Sequence, residues 1–233
     1  ATGVFMTGGN QLKLSSIVCG TPVGDAIVAA HERGAVVGGT SAGASIQSSH
    51  MLAFGGPGST PKQRMTQMAA GLGLVDSAVI DQHFDQRNRY GRLLMIVAQS
   101  PQLLGIGVDE DTCGLVEDVD GDMVMRVLGK GAVSVFDGSR MVTNAHAAQR
   151  SAPLLASGVV FHTLPEGTVF NLSTRSLVPQ EPVVEPEDAE EIAEAVRSLR
   201  QLVRDIAAAD ATPAAIRRRL KLRRTPATPD TTP

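Results

Sequence analysis

Short apolar runs alternate with segments of helical pattern in the first part of the chain. The apolar runs have the length of buried strands, and they cover residues 4–7, 35–38, 79–82 and 104–108. The segments predicted to be helical cover residues 21–33, 42–52 and 88–99. The first of these has Pro22 at its start and Gly34 after its end, as helix termini favour. Strands that alternate with helices predict βαβ units, and so a mostly parallel sheet with helices on both faces.

A different pattern follows residue 108. Asp120-Gly121-Asp122 has the composition of a tight hairpin turn between predicted strands at 113–117 and 123–128. Further strands are predicted at residues 132–136, 158–163 and 168–171. We therefore expect an α/β fold whose C-terminal part contains antiparallel strands.

The chain beyond residue 177 differs in composition from the part before it. We expect a catalytic domain at 1–177, a linker rich in proline and acidic residues at 178–186, a helical extension at 187–224 and a disordered tail at 225–233. An arginine-rich cluster at 217–224 ends the extension. It fits a solvated tail, with a site for an anionic partner as the alternative.

Composition narrows the classes of function. The chain has 233 residues, a formal net charge of −3, one tyrosine and no tryptophan, which argues against nucleic-acid binding and against stacking platforms for bases. Its two cysteines are too few for a disulfide scaffold, and no spacing of His and Cys matches a metal site. No apolar stretch is long enough to cross a membrane, and no signal peptide is visible. We expect a cytoplasmic protein with no metal, no organic cofactor, no nucleic-acid partner and no membrane partner.

The most informative motif lies directly after the predicted strand at 35–38. Gly39 to Gly43 follows the pattern Gly-x-Ser-x-Gly with Ser41 at its centre, which is typical of a nucleophile on a sharp turn between a strand and a helix. The N–H groups after the serine would lie at a helix N-terminus, where they can stabilise an oxyanion. A strand-to-helix crossing built of small residues, or a phosphate-binding loop without lysine, fits the same pattern.

Candidate partners for Ser41 follow two later strands. His83 comes after the apolar run at 79–82, and Glu110 comes after the run at 104–108. Because α/β sheets place their chemistry at the carboxyl ends of strands, these three residues are candidates for a nucleophile, a base and an orienting acid. Taken singly, His83 fits a satisfied core histidine and Glu110 an ordinary loop carboxylate. Taken together, the three favour catalysis.

Three segments form a pattern that is more specific than any one of them. They read Gly-Gly-Thr-Ser-Ala-Gly-Ala at 38–44, Asp-Gln-His-Phe-x-Gln-Arg-x-Arg-x-Gly-Arg-Leu at 81–93 and Gly-Ile-Gly-Val-Asp-Glu at 105–110. Together they resemble cyanophycinase, which is grouped with peptidase E among the serine peptidases. The resemblance covers residues 2–170, and the second segment is its most specific part. It implies a class I glutamine-amidotransferase-like α/β fold.

The resemblance also implies roles for individual residues. Ser41 would be the nucleophile, His83 the base and Glu110 the carboxylate that orients the base. The residues expected to bind substrate are Gln11, Asp81, Gln82, Arg87, Arg89, Arg92 and Asp111. At the position of Asp111, cyanophycinases usually carry asparagine. The residues expected to form the oxyanion hole are Gly8, Gly9 and Ala42, through their N–H groups.

The substrate implied by the resemblance is cyanophycin, a polyaspartate backbone that carries an arginine on each side-chain carboxylate. A serine exopeptidase of this kind hydrolyses the α-peptide backbone through an acyl-enzyme and releases β-Asp-Arg dipeptides. Arginines of the cleft would bind aspartyl carboxylates in bidentate fashion, and Asp81 or Asp109 would bind the arginine branches. Without the surrounding motif, the three arginines at 87–92 would fit a solvated helix face.

Two other functions stay open at this point. One is a peptidase E-like hydrolase of short aspartyl peptides, and the other is a truncated, inactive amidotransferase-like module. Members of the family begin with further βαβ units, so we expect that the catalytic domain lacks its N-terminal portion. The resemblance also implies a homodimer.

Overall fold

The computed structural model describes residues 1–179, Glu194, Arg197, Ser198 and Gln201. The chain forms two units, Ala1–Gln180 and Glu181–Pro233. In the second unit, the four described residues are helical and exposed. The rest of the predicted helical extension, the predicted tail and all but the first two residues of the predicted linker lie outside the described residues.

Residues 1–179 contain both helices and strands. The helices are α1 (Gln11–Val18), α2 (Pro22–Glu32), α3 (Ala42–Ser45) and α4 (Tyr90–Gln99). The strands are β1 (Gly3–Met6), β2 (Val36–Gly39), β3 (His50–Gly55), β4 (Thr66–Ala70), β5 (Ala78–Gln82), β6 (Leu104–Val108), β7 (Thr112–Val119), β8 (Asp122–Gly129), β9 (Ala132–Asp137), β10 (Val142–Thr143), β11 (Ala156–Ser157), β12 (Val160–Pro165), β13 (Val169–Asn171) and β14 (Ser176–Leu177).

Local capping explains where the first helices begin. The side chain of Thr21 accepts a hydrogen bond from the N–H of Gly24, and Pro22 occupies the first turn of α2. This confirms the helix predicted from residue 21. The side chain of Asn10 accepts a hydrogen bond from the N–H of Lys13 and starts α1 in the same way. That helix was not predicted, although asparagine is a favoured capping residue.

The helix after Ser41 is much shorter than predicted. A helix to residue 52 is expected from the sequence, but α3 ends at Ser45 and the chain enters β3 at His50. The hydroxyl of Ser48 donates to the backbone oxygen of Ser45 at 2.9 Å and lies 3.2 Å from that of His50. A serine that bonds to nearby backbone in this way competes with helix continuation. The strands β3 and β4 then pair antiparallel, and neither was predicted.

The strands form several small sheets. β1 and β2 are a parallel pair, whereas β3 with β4 and β10 with β11 are antiparallel pairs. A four-stranded mixed sheet has the order β12-β9-β6-β5, and a four-stranded antiparallel sheet has the order β14-β13-β8-β7. In the mixed sheet, β5 is parallel to β6, whereas β9 is antiparallel to β6 and to β12.

The prediction of a mostly parallel sheet with helices on both faces is wrong, and so is the class I glutamine-amidotransferase-like arrangement that the family resemblance implied. Within residues 1–179, only the pairs β1–β2 and β5–β6 are parallel, and they belong to different sheets. Each of these pairs is connected through helices, as parallel strands require. The later strands follow short turns, such as Asp120-Gly121 with φ of 55° and 92°, and such turns force antiparallel pairing. The predicted hairpin is therefore confirmed, and antiparallel pairing extends into the sheet that carries β5 and β6.

Buried side chains hold β5 and β6 from both faces. On one face, α4 packs through Leu93 and Val97 against the mixed sheet, together with Phe84 and Phe136. A Cβ on Gly105 of β6 would lie 2.8 Å from a methyl group of Val97, so glycine lets the helix approach this closely. On the other face, a second cluster joins the mixed sheet to the antiparallel sheet. The C-terminal ends of β5 and β6 are thereby fixed in place.

Among the described residues, no single helix is both long and apolar enough to span a membrane. The consecutive helices α1 and α2 reach the required length and composition only when taken together, and they are bent by 85° at the break between them.

Candidate active site

Ser41 lies on a sharp turn between β2 and α3. Its backbone has φ 54° and ψ −113°, a conformation that L-residues rarely adopt. The two glycines of the motif make room for this turn. A Cβ on Gly43 would lie 2.0 Å from the backbone oxygen of Met6, and a Cβ on Gly39 would lie 2.5 Å from the backbone of Gly43. The Gly-x-Ser-x-Gly pattern is therefore explained by the close approach of β1 to the turn.

His83 and Glu110 lie beside Ser41. His83 follows β5 with φ 47°, and its Nε2 atom lies 3.2 Å from the Oγ of Ser41. The Nδ1 atom of His83 lies 2.7 Å from Oε1 of Glu110. The N–H of Glu110 donates to the side-chain oxygen of Gln86 at 3.0 Å, which holds the turn after β6 against the segment after His83. The structure thus brings the three residues of the predicted triad together.

Solvent reaches this triad from the carboxylate side. The side chain of His83 is 25% exposed and that of Glu110 is 52% exposed. Water therefore screens the interaction of Glu110 with the imidazole more than it would in a buried triad. The hydroxyl of Ser41 lies on the less exposed side of the imidazole.

Two of the predicted oxyanion-hole residues, Gly8 and Ala42, lie directly beside Ser41. A Cβ on Gly8 would lie 3.0 Å from the Cβ of Ser41, so the loop after β1 packs directly on Ser41. Within residues 1–179, the N–H groups of Gly8, Gly9 and Ala42 have no hydrogen-bond acceptor. These three residues line an open cavity of about 410 Å³. The other residues that line this cavity are Phe5, Met6, Thr7, Asn10, Lys13, Leu14 and Ile17.

Asp81, Arg89 and Arg92 form a buried ion network beneath the triad. Asp81 is fully buried, and Arg92 binds both of its carboxylate oxygens. Arg89 adds a contact of 3.2 Å from Nη1 to Oδ1 of Asp81. Arg92 also donates to the backbone oxygen of Gly55 at 2.9 Å, which connects the network to β3. Burial lowers the pKa of the Arg89 guanidinium, and the neighbouring Asp81 acts against this shift.

Gln82 connects this network to Ser41. Its side-chain oxygen accepts a hydrogen bond from Nη1 of Arg89 at 2.9 Å and lies 3.5 Å from the Oγ of Ser41. The residue is buried at the end of β5. The prediction that Gln82, Asp81, Arg89 and Arg92 bind substrate stays a prediction.

The remaining predicted substrate-binding residues lie in different places. Arg87 is exposed, and within residues 1–179 its guanidinium has no ion pair. Gln11, at the start of α1, donates to the backbone oxygen of Leu52. Asp111 pairs with Lys130 at 2.8 Å, and its side chain is 70% exposed. The hydrogen bond from Lys130 lowers the pKa of Asp111.

Three residues near the site carried no prediction. Gln86 supports Glu110 as described above, and Lys13 is a cation at the wall of the cavity that Gly8, Gly9 and Ala42 also line. The hydroxyl of Tyr90 donates to Asp85 at 3.1 Å, and burial raises the pKa of Tyr90. The capping signal at Asn10 could have placed Lys13 in a first helical turn, but nothing in the sequence indicated the other contacts.

Asp81 and Asp109, the two acids expected to bind arginine branches of the substrate, already accept hydrogen bonds within the protein. Asp109 accepts the N–H of Asp85 through Oδ1 at 3.1 Å and the N–H of Ala132 through Oδ2 at 3.1 Å. Asp81 is enclosed by its two arginines. Among the residues that the structure describes, no group of three or more His, Cys, Asp or Glu side chains is arranged to hold a metal ion.

Comparison with known proteins gives consistent similarities. A sequence profile of the family described as Peptidase family S51 matches residues 1–124. The chain is 42% identical over 181 residues to the cyanophycinase of Trichormus variabilis (strain ATCC 29413 / PCC 7937), which covers 76% of this chain and 59% of that protein. It is 40% identical over 175 residues to the cyanophycinase of Geminocystis herdmanii (strain PCC 6308), with 74% of this chain and 63% of that protein covered.

The same comparison gives 37% identity over 180 residues with the cyanophycinase of Thermosynechococcus vestitus (strain NIES-2133 / IAM M-273 / BP-1), over 76% of this chain and 54% of that protein. The chain therefore spans between 54% and 63% of the length of these relatives. Among solved structures, the crystal structure of a peptidase from an acI-B1 Actinobacterium is similar with a TM-score of 0.44 and 20% identity, over 70% of this chain and 60% of that one.

Proposed function

This chain belongs to peptidase family S51, and on that basis we propose that it is a serine exopeptidase that hydrolyses cyanophycin. The reaction cleaves the α-peptide backbone and releases β-Asp-Arg dipeptides. The observation that carries the proposal is the continuous contact from Ser41 Oγ to His83 Nε2 at 3.2 Å and from His83 Nδ1 to Glu110 at 2.7 Å. The substrate is supported by relatives named cyanophycinase over about three quarters of the chain.

Acylation begins with the Ser41 hydroxyl. His83 Nε2 takes the hydroxyl proton while Oγ forms a bond to the carbonyl carbon of the scissile peptide. Glu110 accepts the Nδ1–H, which selects the tautomer that leaves a lone pair on Nε2. His83 then donates its proton to the amine nitrogen as the C–N bond breaks. The acyl group stays on Ser41 as an ester.

Deacylation repeats these proton transfers with water as the nucleophile. His83 takes a proton from water, the hydroxide oxygen bonds to the acyl carbon, and the proton returns to Ser41 Oγ as the ester breaks. In both steps negative charge develops on the carbonyl oxygen. The N–H groups of Ala42 and of Gly8 or Gly9, which have no acceptor within residues 1–179, stabilise that charge.

Recognition in this proposal relies on the exposed cations of the site. Arg87 is exposed four residues after His83 and offers a planar guanidinium that matches an aspartyl carboxylate. Lys13 faces the cavity next to the oxyanion hole and can bind a second carboxylate. A homodimer, implied by the family resemblance, is part of the same proposal and is tested by analytical ultracentrifugation.

The test uses purified full chain, its Ser41→Ala variant and two kinds of substrate. We expect the chain to release β-Asp-Arg dipeptides from insoluble cyanophycin, detected by mass spectrometry, and the variant to release none. Free Asp-X dipeptides serve as the competing substrates. Cleavage of those dipeptides without release from cyanophycin would favour a peptidase E-like hydrolase instead, and activity in Ser41→Ala would contradict a serine mechanism.

A further inference from the structure

A chain of polar contacts connects the buried ion network to the nucleophile. Nη1 of Arg89 donates to Oδ1 of Asp81 at 3.2 Å, to the backbone oxygen of Gln82, and to the side-chain oxygen of Gln82 at 2.9 Å. That same side-chain oxygen lies 3.5 Å from the Oγ of Ser41. A single amide group therefore stands between a fixed cation and the hydroxyl that reacts.

The chemistry of the guanidinium fixes how this amide is oriented. Arginine carries only N–H donors, so the amide atom that faces Arg89 is the oxygen. Ser41 consequently meets a hydrogen-bond acceptor in Gln82, and not an N–H group. Its hydroxyl carries a single hydrogen atom, which is donated either to the amide oxygen of Gln82 at 3.5 Å or to Nε2 of His83 at 3.2 Å, and His83 is the nearer acceptor. The Oγ atom therefore lies between the two side chains, and a fixed Gln82 amide limits how far Oγ can move away from His83.

Arg89 itself is held firmly. Asp81 is fully buried and is bound through both oxygens by Arg92, so it presents a fixed charge to Arg89. The backbone oxygen of Gln82 provides a second anchor at the end of β5. The two hydrogen atoms of Nη1 are shared among three acceptors inside the protein, so this atom has little capacity left for a substrate carboxylate.

We propose that Arg89 is a positioning residue for the nucleophile: it fixes the side-chain amide of Gln82, and that amide holds the Ser41 hydroxyl in reach of His83. The inference rests on the proposed function, in which Ser41 is the nucleophile. It is an alternative to the sequence-based expectation that Arg89 binds substrate. The two roles predict different kinetics. Loss of a positioning contact slows the attack of Oγ on any acceptor, whereas loss of a substrate contact weakens binding of substrates that carry carboxylates.

The experiment compares Gln82→Met, Arg89→Lys and the double variant with the unmodified full chain. Methionine keeps the length of glutamine without the amide, and lysine keeps the charge beside Asp81 but cannot reach all three acceptors at once. The first readout is the rate at which a small, uncharged fluorophosphonate labels the serine. The second is kcat and KM on soluble cyanophycin oligomers. Melting temperatures identify any variant that fails to fold.

We expect each single variant to label about 10- to 100-fold more slowly, since displacement of a reacting group by a fraction of an ångström has effects of this size. The same factor should appear in kcat, with KM nearly unchanged. The double variant should be no slower than the slower single variant, because both changes break one pathway. Arg175→Lys is the matched control, since it alters the Arg175–Asp137 pair, which is partly buried and touches none of these residues; its labelling rate should equal that of the unmodified chain.

The outcomes separate the inference from the proposed function. A wild-type chain that is not labelled at all would contradict Ser41 as nucleophile. A labelled wild type with an equally labelled Gln82→Met would overturn the positioning role while leaving the function in place. Unchanged labelling in Arg89→Lys together with a raised KM would assign Arg89 to substrate binding. If Arg89→Lys does not fold, Gln82→Met alone decides the question.

Discussion

Ser41 and His83 lie 42 positions apart in the chain and meet at 3.2 Å, and both have positive φ, 54° and 47°. Each follows the C-terminal end of a parallel strand, β2 for Ser41 and β5 for His83. A non-glycine residue in such a conformation costs about 1–3 kcal/mol. Gly39 and Gly43 leave room for the turn at Ser41. Next to His83, the N–H of Phe84 donates to the backbone oxygen of Val108 at 3.2 Å. The backbone at both positions therefore helps to direct the two side chains toward each other.

The three members of the triad should differ in how much each contributes. Ser41→Ala and His83→Ala should each lower kcat by about 10⁴-fold or more, because nucleophile and base act as one unit. Glu110→Gln should cost about 10- to 100-fold, since the carboxylate is half exposed and screened by water. Initial rates on soluble cyanophycin oligomers measure all three. A loss in Glu110→Gln as large as in His83→Ala would show that exposure does not weaken this contact.

Gly43→Ala should disrupt the turn that carries the nucleophile. The added Cβ would lie 2.0 Å from the backbone oxygen of Met6, so β1 or the turn has to move. We expect a loss of stability of about 1–3 kcal/mol in urea unfolding, as overpacking in a core produces, together with a loss of activity. Gly56→Ala is the control, because a Cβ there meets no atom within 4 Å. Equal stability of the two variants would contradict the close packing of β1 on the turn.

Removal of Arg92 should destabilise the protein strongly. Arg92 is buried and binds both oxygens of the fully buried Asp81. Truncation to alanine leaves that carboxylate with Arg89 as its remaining partner, and loss of one member of a buried ion pair costs about 3–5 kcal/mol. Urea unfolding measures the change. Lys130→Ala, which breaks an exposed pair with Asp111, should have no measurable effect on stability, and a similar loss in both variants would argue against a special role for the buried network.

The Asp137–Arg175 pair should make stability depend on acid pH. Burial alone would raise the pKa of Asp137, but hydrogen bonds from Ser139 and the contact with Arg175 together lower it. A carboxyl whose folded pKa is lowered stabilises the protein at pH above its unfolded pKa, about 3.9. That stabilisation is lost as the pH falls below this value. The difference in unfolding free energy between the unmodified chain and Asp137→Asn should therefore shrink between about pH 5 and pH 2. A difference that is constant over this range would contradict the assignment.

The site was more predictable from the sequence than the fold. The turn at Ser41 and the hairpin at Asp120-Gly121 are each encoded by a few consecutive residues. Gly39 and Gly43 leave space for the backbone of the turn, and Gly121 adopts the positive φ that the hairpin requires. The positions of His83 and Glu110 followed from strand ends, which apolar runs mark well. The proximity of the three residues required only that these ends lie on the same side of the molecule.

Strand pairing was not predictable in the same way. The choice of β9 as an antiparallel neighbour of β6 depends on contacts between residues far apart in sequence, and no local pattern encodes it. The buried network was missed for a related reason. Arg89 and Arg92 have the spacing of an exposed helix face, and only the position of β5 beneath α4 shows that both guanidiniums turn inward to Asp81.

The most direct test of the central claim is the location of a covalent serine adduct. The full chain is treated with a fluorophosphonate, digested and analysed by tandem mass spectrometry, with His83→Ala treated in parallel. We expect a single adduct on the peptide that contains Ser41, formed quickly in the unmodified chain and much more slowly in His83→Ala. An adduct on another serine, or equal labelling of Ser41 in both proteins, would contradict it.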